Sequence, residues 1–438
     1  MRSVLVVALL LTGMLGLVAL RMPVEADPQE KPGTGIQVRD GRLVEANGSD
    51  LVLRGVNYDV IWYPDKSDSF AAIKAAGANA VRVPLGFGYQ FREAMPDEVA
   101  NVVEDCRQNR LICILDAQDT AGFGEEKKAA TIDQAVKFWL SMRDVLVGQE
   151  DHIIINVAGE PFGNGPTWPW VEQTAGAIRE LRAAGFKHAL MVDAPGWGQD
   201  ESFIMRDNAE KVVAADPTGN TVFDIHMYGR FGTAAKVNSY LSSFVTRRLP
   251  IVIGEFALEH EFGDPDADAI MAYAQARELG YLGWSWSGND GRNRNLDMVN
   301  NFDANSRTAW GRRFINGPNG LTTDTREATI FRNAVRPVSL TTDPKNRTPQ
   351  QLSVANVTAN SVRLTWQRRP GGLGGTTYQV VAVNGTAETR VVSTYGPDVT
   401  LTGLKGSTEY TYAVYARDLF GKRSSRSTLV TAITPPAR

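Results

Sequence analysis

A chain of 438 residues is too long for one ordinary domain, and its 43% apolar content is enough to bury a full core. A formal net charge of −3 offers no positive field to draw in nucleic acid or an anionic membrane. Four histidines and two cysteines, scattered along the chain, fall short of a metal-ligand set, so no metal and no cofactor are expected.

The N-terminus carries Arg2, an apolar stretch from Val4 to Leu20, then Val24-Glu25-Ala26. This reads as a secretory signal peptide over 1–26, and so as a secreted protein without a membrane contact after cleavage; a monomer is expected. The apolar stretch is long for the type, which keeps an uncleaved anchor as the alternative; Gly13 and Gly16 interrupt it and favour cleavage. Next, 36–38 and 42–45 around Asp40-Gly41 read as a small hairpin.

From Leu51 to Phe314 short apolar runs alternate with amphipathic helical patterns. Strands are expected at 51–57, 80–84, 111–117, 153–157, 189–193, 221–226, 251–255 and 281–286. Helical patterns fall between them, for example at 132–146 and 171–184. Eight such units fit an α/β fold, a closed (β/α)₈ TIM barrel over 35–335, with the hairpin against its floor. An open doubly wound sheet competes, but no Gly-rich phosphate loop follows the first strand. Cys106 falls late in a helix and Cys113 in the next strand. The two form a disulfide or remain buried thiols, and the sequence leaves both open.

Beyond Phe314 comes a Gly/Pro/Asn turn, then a helix expected over 326–334 and a polar linker over 336–349. Over 350–438 the pattern becomes strict alternation, which reads as an all-β sandwich. Trp366 in an early strand, and Leu404, Thr408 and Tyr410 as a tyrosine corner, resemble a fibronectin type III domain. That resemblance implies a fold and says nothing of function.

The barrel strands end in polar residues: Asn57, Arg82, Gln118 with Asp119, Glu160, Asp193, His226, Glu255, and Trp284 or Trp286. Residues from many strands converge in this way at one mouth of a barrel. Glu160 and Glu255 each follow an apolar run. Either alone is readable as a salt-bridged strand-end residue. Two facing carboxylates are the minimum equipment for cutting a glycosidic bond.

The segments GANAVRVPLG (77–86), GEPFGN (159–164), DIHMYG (224–229), IVIGEFALEH (251–260), GYLGWSWSGND (280–290) and AWGRRFINGPNG (309–320) together resemble glycoside hydrolase family 5, most closely its bacterial β-mannanase-like branch. The resemblance implies Glu160 as general acid/base, Glu255 as nucleophile and Arg82 as the cation that keeps the nucleophile ionised. It implies His226 and Tyr228 as hydrogen-bond partners around the carboxylates. Trp284 would lie beneath the cleaved sugar, with Trp286 as the alternative, and Trp62 is a further candidate sugar contact. The partner would be a β-1,4-linked polysaccharide or oligosaccharide, mannan first and β-glucan second. A glycan-binding barrel without turnover is the rival from another class.

Three positions depart from the family pattern. Gly159 stands where the family has an asparagine that binds the sugar 2-hydroxyl. Gln118 stands for a histidine, and Asn57-Tyr58-Asp59-Val60 replaces a run containing two histidines. With a glycine at 159, room for a water or a substituted sugar is expected, and Gly159→Asn should restore a lost contact.

Overall fold

The computed structural model describes residues 34–165, 169–332, 348–367, 377–385, 387–394, 396–417 and 423–436. The expected leader lies outside these residues, as does the expected linker apart from Thr348 and Pro349. Among the described residues no helix is long and apolar enough to cross a membrane.

The described residues open with a hairpin, β1 (Gln37–Arg39) and β2 (Arg42–Val44), turning through Asp40 and Gly41, both at positive φ. Eight parallel strands then close into a barrel: β3 (Arg54–Asn57), β4 (Ala80–Leu85), β5 (Ile112–Ala117), β6 (Ile153–Asn156), β7 (Ala189–Asp193), β8 (Thr221–His226), β9 (Ile251–Glu255) and β10 (Gly280–Gly283), with β10 hydrogen-bonded to both β9 and β3. The intervening helices are α1 (Ser69–Ala75), α2 (Pro96–Gln108), α3 (Ile132–Ser141), α4 (Arg143–Leu146), α5 (Trp170–Ala183), α6 (Ile204–Val213), α7 (Ala234–Thr246) and α8 (Ala267–Arg277). Their starts follow from local chemistry. At α3, Thr131 accepts from the Gln134 amide at 3.2 Å while Gln134 accepts from the Thr131 amide at 2.8 Å, a reciprocal cap.

Side-chain alternation along the strands sorts two cores. Outward residues such as Val81, Leu115, Ile155, Phe223 and Ile253 pack beneath the helices. Inward residues Leu53, Ala80, Ile112, Ile114, Ile154, Met191, Val222, Val252 and Leu282 fill the lower barrel, closed from below by Ile36 and Leu43 of the hairpin. Above this apolar plug the inward positions become polar: Arg82, Asp116, Asn156, Asp193 and Asp224, all buried. The fold therefore supplies a dry floor and a charged layer directly under the barrel mouth.

Two expectations are corrected. The last barrel strand stops at Gly283, so Trp284 and Trp286 belong to the following loop. The helix expected over 326–334 is instead a 3₁₀ turn, Thr329–Phe331; residues 333 and 334 lie outside the described residues. Glu45 accepts from the amides of Thr329 (2.7 Å) and Ile330 (2.9 Å) and from the Thr329 hydroxyl (2.8 Å). With those amides tied to a carboxylate and Phe331 drawn under the barrel, the segment serves the floor.

The C-terminal part is a two-sheet sandwich. One sheet holds β11 (Gln350–Val357), β12 (Ser361–Gln367) and β15 (Asp398–Thr402); the other holds β13 (Thr377–Asn384), β14 (Ala387–Thr394), β16 (Glu409–Arg417) and β17 (Val430–Ile433). Val362, Leu364, Trp366, Val380, Leu401, Tyr412 and Val414 form its core. The Tyr410 hydroxyl accepts from the Lys405 amide at 2.8 Å, which is the expected tyrosine corner.

Candidate active site

Arg82 organises the barrel mouth. Its guanidinium is fully enclosed. It donates to Glu255 Oε1 at 2.5 Å, to Asp193 Oδ2 and Asn57 Oδ1 at 3.2 Å, and through Nε to Asn156 Oδ1 at 3.3 Å. Asp116 Oδ2 is a further carboxylate oxygen 3.2 Å away. A buried unpaired cation would cost several kcal/mol (on the order of 3–5). Burial works against the Arg82 charge, but Asp116, Asp193 and Glu255 overcome it and hold its pKa well above the usual range.

Glu255 ends β9. A register shift between Ile225 and His226 brings His226 opposite it, a local irregularity that re-aims a side chain next to a site. The Tyr228 hydroxyl donates to Glu255 Oε2 at 2.8 Å, so both carboxylate oxygens are held. Burial raises the Glu255 pKa, opposed by the charges of His226 and Arg82 and by the Tyr228 hydrogen bond.

Glu160 lies in the loop after β6 at φ 45°, a left-handed conformation uncommon outside glycine. Two backbone bonds fix it there. Its amide donates to Asp193 Oδ2 at 2.9 Å and its carbonyl accepts from the Gly122 amide at 3.1 Å. His226 Nδ1 is 2.9 Å from Glu160 Oε1 and 3.5 Å from Glu255 Oε2. One oxygen of each glutamate and a His226 nitrogen lie within 4.8 Å of one another. The His226 ring is buried, and the surrounding acids, Glu255 foremost, overcome that burial and hold its pKa well above the ordinary value.

The structure thus brings Glu160, Glu255, Arg82, His226 and Tyr228 together. Trp284 stays half-buried in the loop after β10, its Nε1 donating to Asn289 Oδ1 at 3.0 Å. Trp286 is fully enclosed in the core and presents no face to a ligand. Of the two tryptophans, only Trp284 can touch a substrate. Trp62 is half-buried, with its ring edge-to-face with Phe91 at 5.2 Å. Phe91 also lines a cavity of about 440 Å³ with Gln90, Glu125, Glu126, Lys127 and Lys128. Gln118 is buried in the turn just after β5, and its Oε1 has no hydrogen-bond partner among the described residues. Asp119 is a scaffold residue, its carboxylate accepting from the amides of Phe87, Tyr89, Gln90 and Phe91 at 2.6–3.1 Å. Cys106 and Cys113 are buried and form no disulfide with each other.

Gly159 requires a correction. A Cβ there would lie 2.6 Å from Asp116 Oδ2 and 2.7 Å from Oδ1. The space beside this glycine is not open to water or a sugar substituent; the Asp116 carboxylate fills it. Gly254, just before Glu255, is alike: a Cβ would come within 2.0 Å of Asp224 Oδ2. Each glutamate is therefore preceded by a glycine that makes room for a buried aspartate on the neighbouring strand.

Sequence reasoning gave Asp116, Asp224 and Asn156 no role and noted Asp193 only as a polar strand end. Their signal was a polar residue at an inward position of an otherwise apolar run. Asp193 is the centre of this layer. It accepts from Arg82, from Asn156 Nδ2 at 2.7 Å and from the Glu160 amide, and its Oδ2 lies 3.5 Å from His226 Nε2. Glu160, His226 and Glu255, or Asp193, Asp224 and His226, place ligand atoms close enough for a small cation. Arg82, 3.2 Å from Asp193, brings one positive charge to that layer.

Gly159→Asn should therefore lower stability and activity, contrary to the expectation from sequence. Asp116 cannot retreat cheaply while Arg82 holds it, and overpacking a core costs about 1–3 kcal/mol. A Tm lower by roughly 2–10 °C is expected, and Gly159→Asn should cost less in an Asp116→Ala background than in the wild type; scanning calorimetry of the single and double variants is the check. Asp59 gives a second prediction. Burial, then the Glu255 charge, pushes its pKa from 3.8 to about 7. A folded pKa above the unfolded one stabilises fully below the unfolded value and is lost as pH rises through the folded one. The Tm should fall between about pH 4 and pH 7, and Asp59→Asn should flatten that fall.

Comparison with known proteins agrees with this geometry. Residues 44–290 match the cellulase family, glycosyl hydrolase family 5, and residues 347–431 match the fibronectin type III domain. The chain is 49% identical to a mannan endo-1,4-beta-mannosidase of Streptomyces lividans, over 72% of this chain and 83% of that protein. It is 45% identical to one from Cellvibrio japonicus, over 68% and 69% respectively. A β-mannanase of Thermomonospora fusca, solved as a mannohexaose complex, is 50% identical with a TM-score of 0.66, covering 68% of this chain and 100% of that one. The chain belongs to glycosyl hydrolase family 5: it is an O-glycoside hydrolase on a (β/α)₈ barrel, followed by a fibronectin type III domain.

Proposed function

We infer that the chain is a secreted, retaining β-glycanase that hydrolyses β-1,4-linked mannan by double displacement. The observation that carries this reading is the arrangement of Glu160 and Glu255 around His226, with an oxygen of each within 4.8 Å of the other. Retaining pairs stand about 5–5.5 Å apart and inverting pairs about 6.5–9.5 Å, because the latter must admit a water. The mannan assignment rests on relatives at 45–49% identity whose names state that activity. Secretion rests on the leader-like pattern at 1–26, and the division into barrel, linker and sandwich at 335 and 350 on the change of sequence texture.

In this reading Glu255 attacks the anomeric carbon. Arg82 and Tyr228 bind its two oxygens and hold the carboxylate in one orientation. Glu160, more open at 15% side-chain exposure against 5% for Glu255, protonates the leaving oxygen. Water then cleaves the glycosyl ester, with Glu160 acting as base. His226 bridges the pair and stabilises whichever carboxylate is charged. Trp284 supplies an aromatic face beneath the sugar.

Two measurements test this together. Reducing-sugar release from mannan, glucomannan, carboxymethyl-cellulose and xylan should be greatest on mannan. Proton NMR of the earliest products should show the β-anomer first. An α-anomer appearing first would overturn double displacement, and binding without release on every polymer would make the barrel a glycan-binding module.

A further inference from the structure

The loop 256–266 leaves the barrel directly from Glu255 and carries an aromatic series that leads outward. The His260 ring stacks on Tyr228 with centroids 4.3 Å apart and planes at 25°. Tyr228 is the residue that donates to Glu255. Phe262 follows at 5.6 Å from His260, tilted by 56°. It is 78% exposed, more than any other large apolar side chain among the described residues.

This exposure sits on a fixed backbone. His260 accepts at its carbonyl from the Gly263 amide at 3.0 Å, and its own amide donates to Asp264 Oδ1 at 3.1 Å. The Asp266 amide donates to the Phe231 carbonyl at 3.0 Å. The Phe262 carbonyl lies so close to Gly229 that a Cβ there would come within 2.3 Å of it. A single exposed apolar residue needs no explanation. Phe262 is different because its loop is pinned to the β8 loop and its ring continues a line that begins at Glu255. Tyr228 follows closely on His226, whose Nδ1 lies 2.9 Å from Glu160 Oε1, so the line also begins beside the residue read here as the acid.

We propose that His260 and Phe262 form a sugar-binding platform on the leaving-group side, His260 flanking the first pyranose beyond the cleaved bond and Phe262 taking the face of the second. The proposal rests on the glycanase reading above and adds an acceptor-side specificity element. The His260-to-Phe262 ring spacing of 5.6 Å is comparable to one pyranose unit, and an aromatic face presents its negative quadrupole to the ring C–H groups of a sugar. The occupant is a β-linked mannooligosaccharide long enough to reach two units past the cut.

The test uses the full chain and the variants Phe262→Ala and Phe262→Tyr. Substrates are mannohexaose, which spans the platform, and para-nitrophenyl β-mannobioside, whose aglycone reaches only the first position. Phe262→Ala should raise KM for mannohexaose roughly five- to twentyfold, with kcat and KM on the aryl glycoside unchanged. Phe262→Tyr should match the wild type on both. An unchanged KM for mannohexaose in Phe262→Ala, or an equal loss on both substrates, overturns the platform while the glycanase reading stands. A wild-type chain that turns over neither substrate overturns both.

Discussion

The site depends on one buried guanidinium. Arg82 is surrounded within 3.2 Å by oxygens of Asp116, Asp193 and Glu255. A cation in that position is tolerable only while the carboxylates stay, and the carboxylates are tolerable only while the cation does. Glu255 is thereby aimed, and Asp193, tied to the same guanidinium, fixes the amide of Glu160 at 2.9 Å. Both glutamates are referenced to Arg82, one directly and one through Asp193. Their spacing is set by strands β4, β7 and β9 and not by the loop alone.

The same constraint accounts for one departure from the family pattern, the glycine at 159. Four carboxyl groups from Asp116, Asp193, Asp224 and Glu255, all buried, face Arg82 and His226. Room for them comes from Gly159 and Gly254, where a side chain would collide with Asp116 and Asp224. The glycine before Glu160 is thus one half of a coupled pair whose other half lies on the neighbouring strand. Reading position 159 by itself suggested a lost contact that could be put back. Read with Asp116, it is a packing decision made in two places.

Much of the fold was legible in the sequence because barrel strands buried on both faces are near-continuous apolar runs. The starts and ends of β4, β7, β8 and β9 fall within a residue of expectation for that reason. What was not legible is non-local. β14 has no buried residue among Ala387–Thr394 and so no apolar alternation to read. The 3₁₀ turn at Thr329 exists because Glu45, far away in sequence, takes its amides. Glu160, Glu255, Arg82, His226 and Tyr228 were recoverable from motif and strand-end position. The partnership of Asp116 with Gly159, and the burial of Trp286 against the half-exposure of Trp284, depend on contacts that only the folded chain defines.

The central claim is that Arg82 and Tyr228 hold Glu255 as the group that forms the covalent bond to sugar. The most direct measurement traps that bond with a fluorinated mannosyl fluoride, which forms the glycosyl ester faster than water clears it, and locates the label by peptide mass spectrometry. The account predicts a single modified peptide carrying the sugar on Glu255, with none formed in Glu255→Gln. A label on Glu160 or on an aspartate of the buried layer, or turnover without any covalent adduct, would contradict it.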